Sequence, residues 1–137
     1  RARLDHLTRY IEKSLKEKEN LVVLGDFNIA PEDRDVYDPE VWKDKVLCSK
    51  QEREALEKLF ALGLVDSFRL FEQQDAAYSW WDYRAAAYRR KMGLRIDLIL
   101  LSTPLARRCA SSTIDESPRG WEKPSDHTPV IVEIDMG

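Results

Sequence analysis

Apolar residues recur every three or four positions near the start of the chain: they are Leu4, Leu7, Ile11 and Leu15. This spacing, with charged residues between, predicts an amphipathic helix that ends near Asn20. The next run, residues 21–24, is wholly apolar and stops at Gly25, which predicts a short buried strand. Residues 31–48 contain two prolines and many acids, and they predict a long surface loop.

A second helix is predicted over residues 49–63, where Ser49 and Glu52 form a capping-box pair and Gly63 marks the end. Its apolar stripe consists of Leu56, Leu59 and Phe60. Apolar runs later in the chain predict strands, and residues 94–101 have the composition of a central one. A helix, a strand and a helix followed mostly by strands favour an α/β layer architecture.

The composition suits one globular domain over residues 1–137, with 43% hydrophobic and 34% charged residues. No run approaches the roughly 20 apolar residues of a membrane-spanning helix, and no signal-peptide core opens the chain. The chain starts without Met and inside the helical pattern, which favours a cut within a longer protein. Cys48 and Cys109 lack metal-ligand spacing, so a reducing, cytoplasmic compartment is expected, with a single disulfide left open.

The net charge of −3, from 22 basic and 25 acidic residues, does not by itself indicate a nucleic-acid-binding protein. The distribution of charge is more informative, because residues 84–95 carry five basic side chains and no acid. A solvated charged loop explains this stretch, and so does a surface that contacts phosphates. Charge alone leaves both explanations open.

Polar side chains stand at the ends of the predicted strands: they are Asp26, Asn28, Asp97, Asp126 and His127. Turn residues and a structural histidine would explain most of them. Asp97 is harder to explain, because an unpaired carboxylate among apolar neighbours is costly to desolvate. The other histidine, His6, lies among charges on the first helix, so we expect His127 to pair with Asp97 and to become more basic.

If these strands end on one side of a sheet, their polar residues form a cluster suited to the hydrolysis of a phosphate ester. Carboxylates bind hard divalent cations, an amide orients water, and a charged imidazole faces a phosphate oxygen. The sequence contains no P-loop or Rossmann glycine pattern that would favour another chemistry.

Four motifs occur in order: "GDFNIAP", "SWWDYR", "GLRIDLILLS" and "EKPSDHTPV". With the segment "EREALEKLFALGLVDSFR", this set resembles the C-terminal half of the exonuclease III family. These enzymes are abasic-site endonucleases and 3′-exonucleases of DNA repair, within the endonuclease/exonuclease/phosphatase superfamily. The single motifs are weak, whereas the ordered set is specific and extends over essentially the whole chain.

The resemblance implies a role for each polar residue of the cluster. Asp26 would activate the water or assist the leaving group, and Asn28 would hold water and phosphate. Asp97 would orient His127, which faces the scissile phosphate. Asp126, together with Asp26 and Asn28, would hold Mg²⁺ or Mn²⁺.

The resemblance also implies an abasic-sugar pocket with Trp80 as its wall, flanked by Leu94 and Ile96. Trp80 has a core alternative, although strand alternation places Trp80 and Trp81 on opposite faces. The arginines of the basic stretch would grip the backbone of double-stranded DNA without reading bases. They are Arg84, Arg89, Arg90 and Arg95.

The family carries a further N-terminal half, with a metal-binding glutamate, that has no equivalent in this sequence. The chain is therefore expected to form one mixed sheet with helices on one face, half of the family's four-layer α/β sandwich. Its inner face should be an exposed apolar surface that meets the N-terminal half of the same enzyme or a second copy. The chain alone is expected to bind metal weakly and to be inactive.

Two alternatives remain open at this point. The chain could belong to a superfamily phosphodiesterase that acts on a phospholipid or an inositol phosphate. It could instead be a binding module without enzymatic activity, whose polar cluster is structural and whose apolar face meets a partner.

Overall fold

The structure, a computed structural model, describes residues 2–121 and 124–136. The helices are α1 (Ala2–Glu17), α2 (Pro39–Trp42), α3 (Lys50–Ala61) and α4 (Thr103–Ala106). The strands are β1 (Val22–Asp26), β2 (Leu64–Asp66), β3 (Trp80–Trp81), β4 (Gly93–Leu94), β5 (Asp97–Ser102), β6 (Cys109–Ile114) and β7 (Val130–Ile134). The side chain of Leu4, the first apolar position of the predicted helix, lies outside what is described, and so do residues 122 and 123 of the last motif.

The strands form antiparallel pairs in three groups: β1–β5–β2, β3–β4 and β6–β7. The α/β class is as predicted, but the strand pairs within the described residues do not join into one mixed sheet. The expected strand over 94–101 is divided, and β5 begins only at Asp97. The division arises because the Arg95 N–H leaves the ladder and donates to the Asp35 carbonyl, at 2.8 Å.

Alternating residues of β5 face two separate clusters of apolar side chains. Leu98 and Leu100 face the helical layer, together with Ile11 of α1 and with Leu56 and Leu59 of α3. Ile99 and Leu101 face the opposite side. They pack there against Leu105 of α4 and against the inward residues of β7, which are Val130, Val132 and Ile134. Helices α1 and α3 therefore cover one face of the β1–β5–β2 group, as expected.

The helix α3 begins and ends where its sequence predicts. The Glu52 N–H donates to the Ser49 hydroxyl at 3.1 Å, and that hydroxyl donates to the Glu52 carboxylate at 2.8 Å. Gly63 follows the helix with φ of +105°, a left-handed value that favours glycine. None of the helices in the described part of the chain is both long enough and apolar enough to cross a membrane.

The strand β1 is not buried on both faces, contrary to the prediction. It pairs only with β5 among the described residues, so it lies at the edge of its group. Val23 packs towards the helical layer, whereas Val22 and Leu24 point to the other side. Leu24 is 66% exposed. The face of β1 that carries Val22 and Leu24 is therefore apolar, but none of the described residues covers it fully.

Residues 31–48 are also more ordered and more buried than the predicted surface loop. They include a 3₁₀ turn at Asp33–Asp35 and the helix α2. Asp35 is 0% exposed and Val36 is buried beside it. The segment is drawn inwards because Asp35 has a cationic partner in the interior.

That partner is Arg95, which is only 1% exposed. Its guanidinium donates to Asp35 at 2.7 Å and to Asp66 at 2.5 Å, and it stacks 4.8 Å from the ring centroid of Phe68. Arg69 donates to Asp35 as well. Arg95 was expected to contact DNA, but here it pairs with two buried acids, with Arg69 as the second cation, and does not lie on the surface.

We expect Arg95→Leu to destabilise the fold by about 3–5 kcal/mol, because it leaves the buried Asp66 carboxylate without its cation and Asp35 with Arg69 alone. Urea denaturation followed by far-UV circular dichroism measures the change. Arg34→Leu is the matched control, since the Arg34–Glu32 pair is exposed and should contribute less than about 1 kcal/mol. Equal losses in the two variants would contradict the assignment.

Candidate functional site

Two carboxylates lie directly opposite each other where the β1–β5 ladder ends. Asp26 is the last residue of β1, and its partner in the antiparallel register is Asp97, the first residue of β5. Like charges at such cross-strand positions repel. The arrangement therefore requires a positive group nearby.

His127 occupies this position. Its Nδ1 lies 2.8 Å from Asp97 Oδ2, so Nδ1–H donates to that carboxylate and Nε2 is the nitrogen turned away. Nε2 lies 3.6 Å from Asp26 Oδ2 and 3.9 Å from Asp126 Oδ1. The predicted pairing of Asp97 with His127 is confirmed, and Asp26 lies at the same end of the sheet as expected.

These contacts change the acidities of both partners. Burial disfavours the charged form of His127, but the hydrogen bond and charge of Asp97, with the charges of Asp26 and Asp126, raise its pKa above 6.5. Burial raises the pKa of Asp97, and the hydrogen bonds from His127 and Ser79 oppose that rise. The imidazole is thus held in a fixed orientation by Asp97, and its protonated form is favoured by the three neighbouring carboxylates.

Asn28 is held beside Asp26 by a tight local turn. Its backbone N–H donates to Asp26 Oδ1 at 2.8 Å, and its φ is +54°, a left-handed value that asparagine tolerates better than most residues. Because Oδ1 is engaged in this bond, Oδ2 is the Asp26 oxygen that faces His127. Asn28 is exposed, and its amide is accessible from solvent.

Asp126 links the site to Trp80. The Trp80 indole Nε1–H donates to Asp126 Oδ2 at 3.2 Å, and the Trp81 N–H donates to the Asp126 carbonyl at 3.0 Å. Trp80 also forms an isolated antiparallel bridge with His127. Trp80 and Trp81 pack into different clusters, as their alternation predicts.

A cleft of about 340 Å³ lies against Trp80. Its lining consists of Tyr37, Trp42, Trp80, Asp82, Arg84, Ala87 and Met92. Leu94 and Ile96, expected to flank a pocket, are fully buried in the cluster against which Trp80 packs. They therefore support the wall from behind, and Tyr37 and Trp42 are lining residues that sequence reasoning missed.

Sequence reasoning also missed the support of the loop that carries His127. Arg119 is buried, its guanidinium lies 4.7 Å from the Tyr88 ring centroid, and it donates to the Ser125 carbonyl at 2.8 Å. The Ser125 hydroxyl accepts the His127 N–H at 3.1 Å. A serine two residues before the histidine is a recognisable turn signal, whereas nothing local to Arg119 indicates its role.

The basic side chains of residues 84–95 lie at the surface, except for that of Arg95. Arg84 pairs with Asp82 at 2.7 Å across an exposed contact, and Arg89, Arg90 and Lys91 are exposed. This stretch and the cleft share Arg84. The exposed basic side chains therefore begin at the wall of the cleft, where Asp82 offsets the charge of Arg84.

The side chains near His127 Nε2 suit a hard divalent cation. Oxygens of Asp26 and Asp97 and a ring nitrogen of His127 all lie within 4.8 Å of one another. Asp97 is already engaged by Nδ1, whereas Asp26 Oδ2 and Asp126 Oδ1 lie 3.6 and 3.9 Å from Nε2 and offer oxygen donors there. The donor set of Asp26, Asp126 and Asn28 stays a prediction.

The chain matches the endonuclease/exonuclease/phosphatase family over residues 1–127, and it belongs to that family. The family is dependent on divalent metals. Relatives include an exodeoxyribonuclease III of Haemophilus influenzae, which is 38% identical over 135 residues, covering 93% of this chain and 51% of the relative.

Solved structures of DNA-processing enzymes also match this chain, again over about half of their own length. A 3′ phosphatase, NExo, from Neisseria bound to a product DNA hairpin is 45% identical, with a TM-score of 0.93 over 96% of this chain and 51% of that one. An AP endonuclease from Archaeoglobus fulgidus is 37% identical, with a TM-score of 0.89 over 97% of this chain and 52% of that one. The chain thus spans about half the length of the relatives it matches.

We expect Asp97→Asn to lower the pKa of His127, because a charged hydrogen-bond acceptor is lost. The stability that protonated His127 contributes is present below pH 6.5 and disappears as pH rises through the raised folded-state pKa, so this dependence should weaken in the variant. NMR titration of the imidazole in metal-free buffer measures the shift, with a His6→Gln variant to assign the resonances. An unchanged titration would contradict the coupling.

Proposed function

We propose that the chain is part of a divalent-metal-dependent nuclease that hydrolyses phosphodiesters of double-stranded DNA, nicking 5′ to abasic sites and trimming 3′ ends. The observation that carries the proposal is the placement of His127 between Asp97 on one side and Asp26 with Asp126 on the other. Relatives named as an exodeoxyribonuclease and an AP endonuclease support this choice over a phospholipid or inositol phosphate substrate. The same relatives support a nuclease function over a purely structural role for the polar cluster.

In this reaction the protonated His127 donates Nε2–H to an oxygen of the scissile phosphate. Asp97 holds the ring through Nδ1, so the ring does not rotate as negative charge grows on the phosphate. Because this bond already exists before substrate binds, little reorganisation accompanies the reaction. Asp97 thus acts by orienting His127.

Asp26 accepts a proton from the attacking water or stabilises the leaving group through Oδ2. Its other oxygen is fixed by the Asn28 N–H, which holds the carboxylate plane towards His127. The Asn28 amide orients the water and a phosphate oxygen. Water held by both side chains is directed towards phosphorus in line with the departing oxygen.

Asp126, Asp26 and Asn28 would hold Mg²⁺ or Mn²⁺. When bound, such an ion neutralises negative charge on the phosphate oxygens. The Asp126 carboxylate also accepts the Trp80 indole N–H, so a hydrogen bond connects Trp80, in the wall of the cleft, to one of the proposed ion ligands.

Trp80 forms the wall against which an abasic sugar would pack, with Leu94 and Ile96 as its rigid backing. The cleft beside it is lined mainly by aromatic and apolar side chains, and an extruded sugar without a base suits such a surface. The basic stretch, with Arg84, Arg89 and Arg90, would contact DNA phosphates on either side of the lesion.

The proposed catalytic unit extends beyond this chain. The family relatives are about twice as long in the matched comparisons, and the face of β1 that carries Val22 and Leu24 is exposed. We assign this face to contact with the N-terminal half of the same enzyme. A homodimer through the same face is the competing outcome, which sedimentation equilibrium distinguishes by molar mass.

We expect the chain alone to nick abasic duplex DNA far more slowly than the chain refolded with the N-terminal half of the Haemophilus influenzae relative. In the combined protein, His127→Gln should lower kcat by about 10²–10³-fold, because the positive donor to the phosphate is lost. Gel assays with Mg²⁺ or Mn²⁺ on abasic, 3′-hydroxyl and 3′-phosphate duplexes measure each activity separately.

Arg9→Gln on α1 is the control for this assay and should retain wild-type rates. Full activity of the isolated chain would refute the requirement for a second half. Cleavage that is unaffected by His127→Gln would refute the assigned mechanism.

We also expect Arg89→Gln to weaken DNA binding similarly for all sequences and to reduce the slope of log K against log salt by about one. Fluorescence anisotropy at several salt concentrations measures the slope, and Arg9→Gln again serves as the charge-matched control. A slope that is equal in both variants would remove this stretch from the interface.

A further inference from the structure

Ser79, which immediately precedes β3, is 0% exposed and lies beside the site without taking part in it directly. Its hydroxyl oxygen accepts two consecutive backbone N–H groups, those of Ile96 and Asp97, each at 3.1 Å. These are the residues at which the chain enters β5. One oxygen with two successive amide donors fixes both the direction of the backbone and the starting point of the strand.

The backbone of Ser79 connects two further segments. Its N–H donates to the Leu94 carbonyl at 3.0 Å, and its carbonyl accepts the Thr128 N–H at 2.9 Å. Thr128 follows His127 directly in the chain. A single buried residue therefore joins the segments that carry Trp80, Asp97 and His127.

The electrostatics of Asp97 agree with this placement. Burial raises the pKa of the Asp97 carboxyl, and hydrogen bonding by His127 and by Ser79 opposes the rise. Asp97 is thus held by His127 at its carboxylate and by Ser79 at its backbone N–H.

We infer that Ser79 is a positioning residue: it holds Asp97 in the orientation that meets His127 Nδ1, and so keeps Nε2 directed at Asp26 and Asp126. Ser79 is fully buried, so it acts through Asp97 and not by touching substrate. For catalysis, this inference rests on the proposed nuclease function. For the geometry of the Asp97–His127 pair, it stands independently of that function.

The chain offers a matched control in Ser102, at the other end of β5. Ser102 is equally buried, and its hydroxyl accepts the Leu21 N–H at 2.9 Å. It stands five residues from Asp97, roughly 17 Å along an extended strand. A purely structural role for buried serines predicts similar effects of Ser79→Ala and Ser102→Ala.

The first test measures the His127 Nδ1–H resonance by NMR in the 137-residue chain, in metal-free buffer at low temperature. We expect a low-field signal in the wild type that is lost in Ser79→Ala, through exchange with water, and kept in Ser102→Ala. Ser79→Thr, which retains the hydroxyl, should restore it. If Ser79→Ala does not fold, Ser79→Cys replaces it, because sulfur fills the space and hydrogen-bonds weakly. A signal that persists in the folded hydroxyl-free variant would overturn the inference.

The second test measures cleavage in the combined protein described above. We expect Ser79→Ala to lower kcat by roughly 10–100-fold, the usual effect of losing a group that orients a site residue, with KM nearly unchanged. Ser79→Thr should recover most of the rate. A wild type without cleavage would refute the proposed function and leave the NMR result valid. An active wild type with an equally active Ser79→Ala would refute the role of Ser79.

Discussion

The repulsion between two facing carboxylates is the constraint on which this site depends. The β1–β5 register places Asp26 and Asp97 directly opposite each other, an arrangement that is unfavourable without a cation. The imidazole of His127 relieves it, and in doing so acquires a fixed ring orientation and a raised pKa. The contacts of His127 with Asp97 and Asp26 therefore reduce the repulsion between the two carboxylates and also favour the protonated imidazole.

The site is assembled where three short chain segments meet, and backbone hydrogen bonds bring them together. The end of β1, the entry to β5 and the loop before β7 each contribute one or two polar residues. The main-chain groups of Ser79 and Trp81 bond to the loop before β7, and the buried Ser79 hydroxyl bonds to the entry of β5. The strands β3 and β4 have only two residues each, which is enough to pair Trp80 with Leu94 and Trp81 with Gly93.

The sequence alone predicted the Asp97–His127 pair, because a buried acid needs a partner and the other histidine, His6, lies among charges on the first helix. It also predicted the end of the sheet at which Asp26 stands, since strand ends are marked by a change from apolar to polar residues. The catalytic roles of these residues remain predictions.

The interior position of Arg95 was missed, because its partners lie 60 and 29 residues away and no periodic pattern connects them. Local patterns likewise do not show which face of a strand is covered, which is why the exposure of β1 differed from the expectation. The buried group of Arg95, Asp35, Asp66 and Arg69 has a further consequence for how this sequence can diverge. Its two cations balance its two acids, so a single substitution leaves an unbalanced charge inside the protein, whereas simultaneous replacement of all four by apolar residues can be tolerated. These positions should therefore vary together among descendants of this chain, and a lineage that loses one charge should be found to have lost the others.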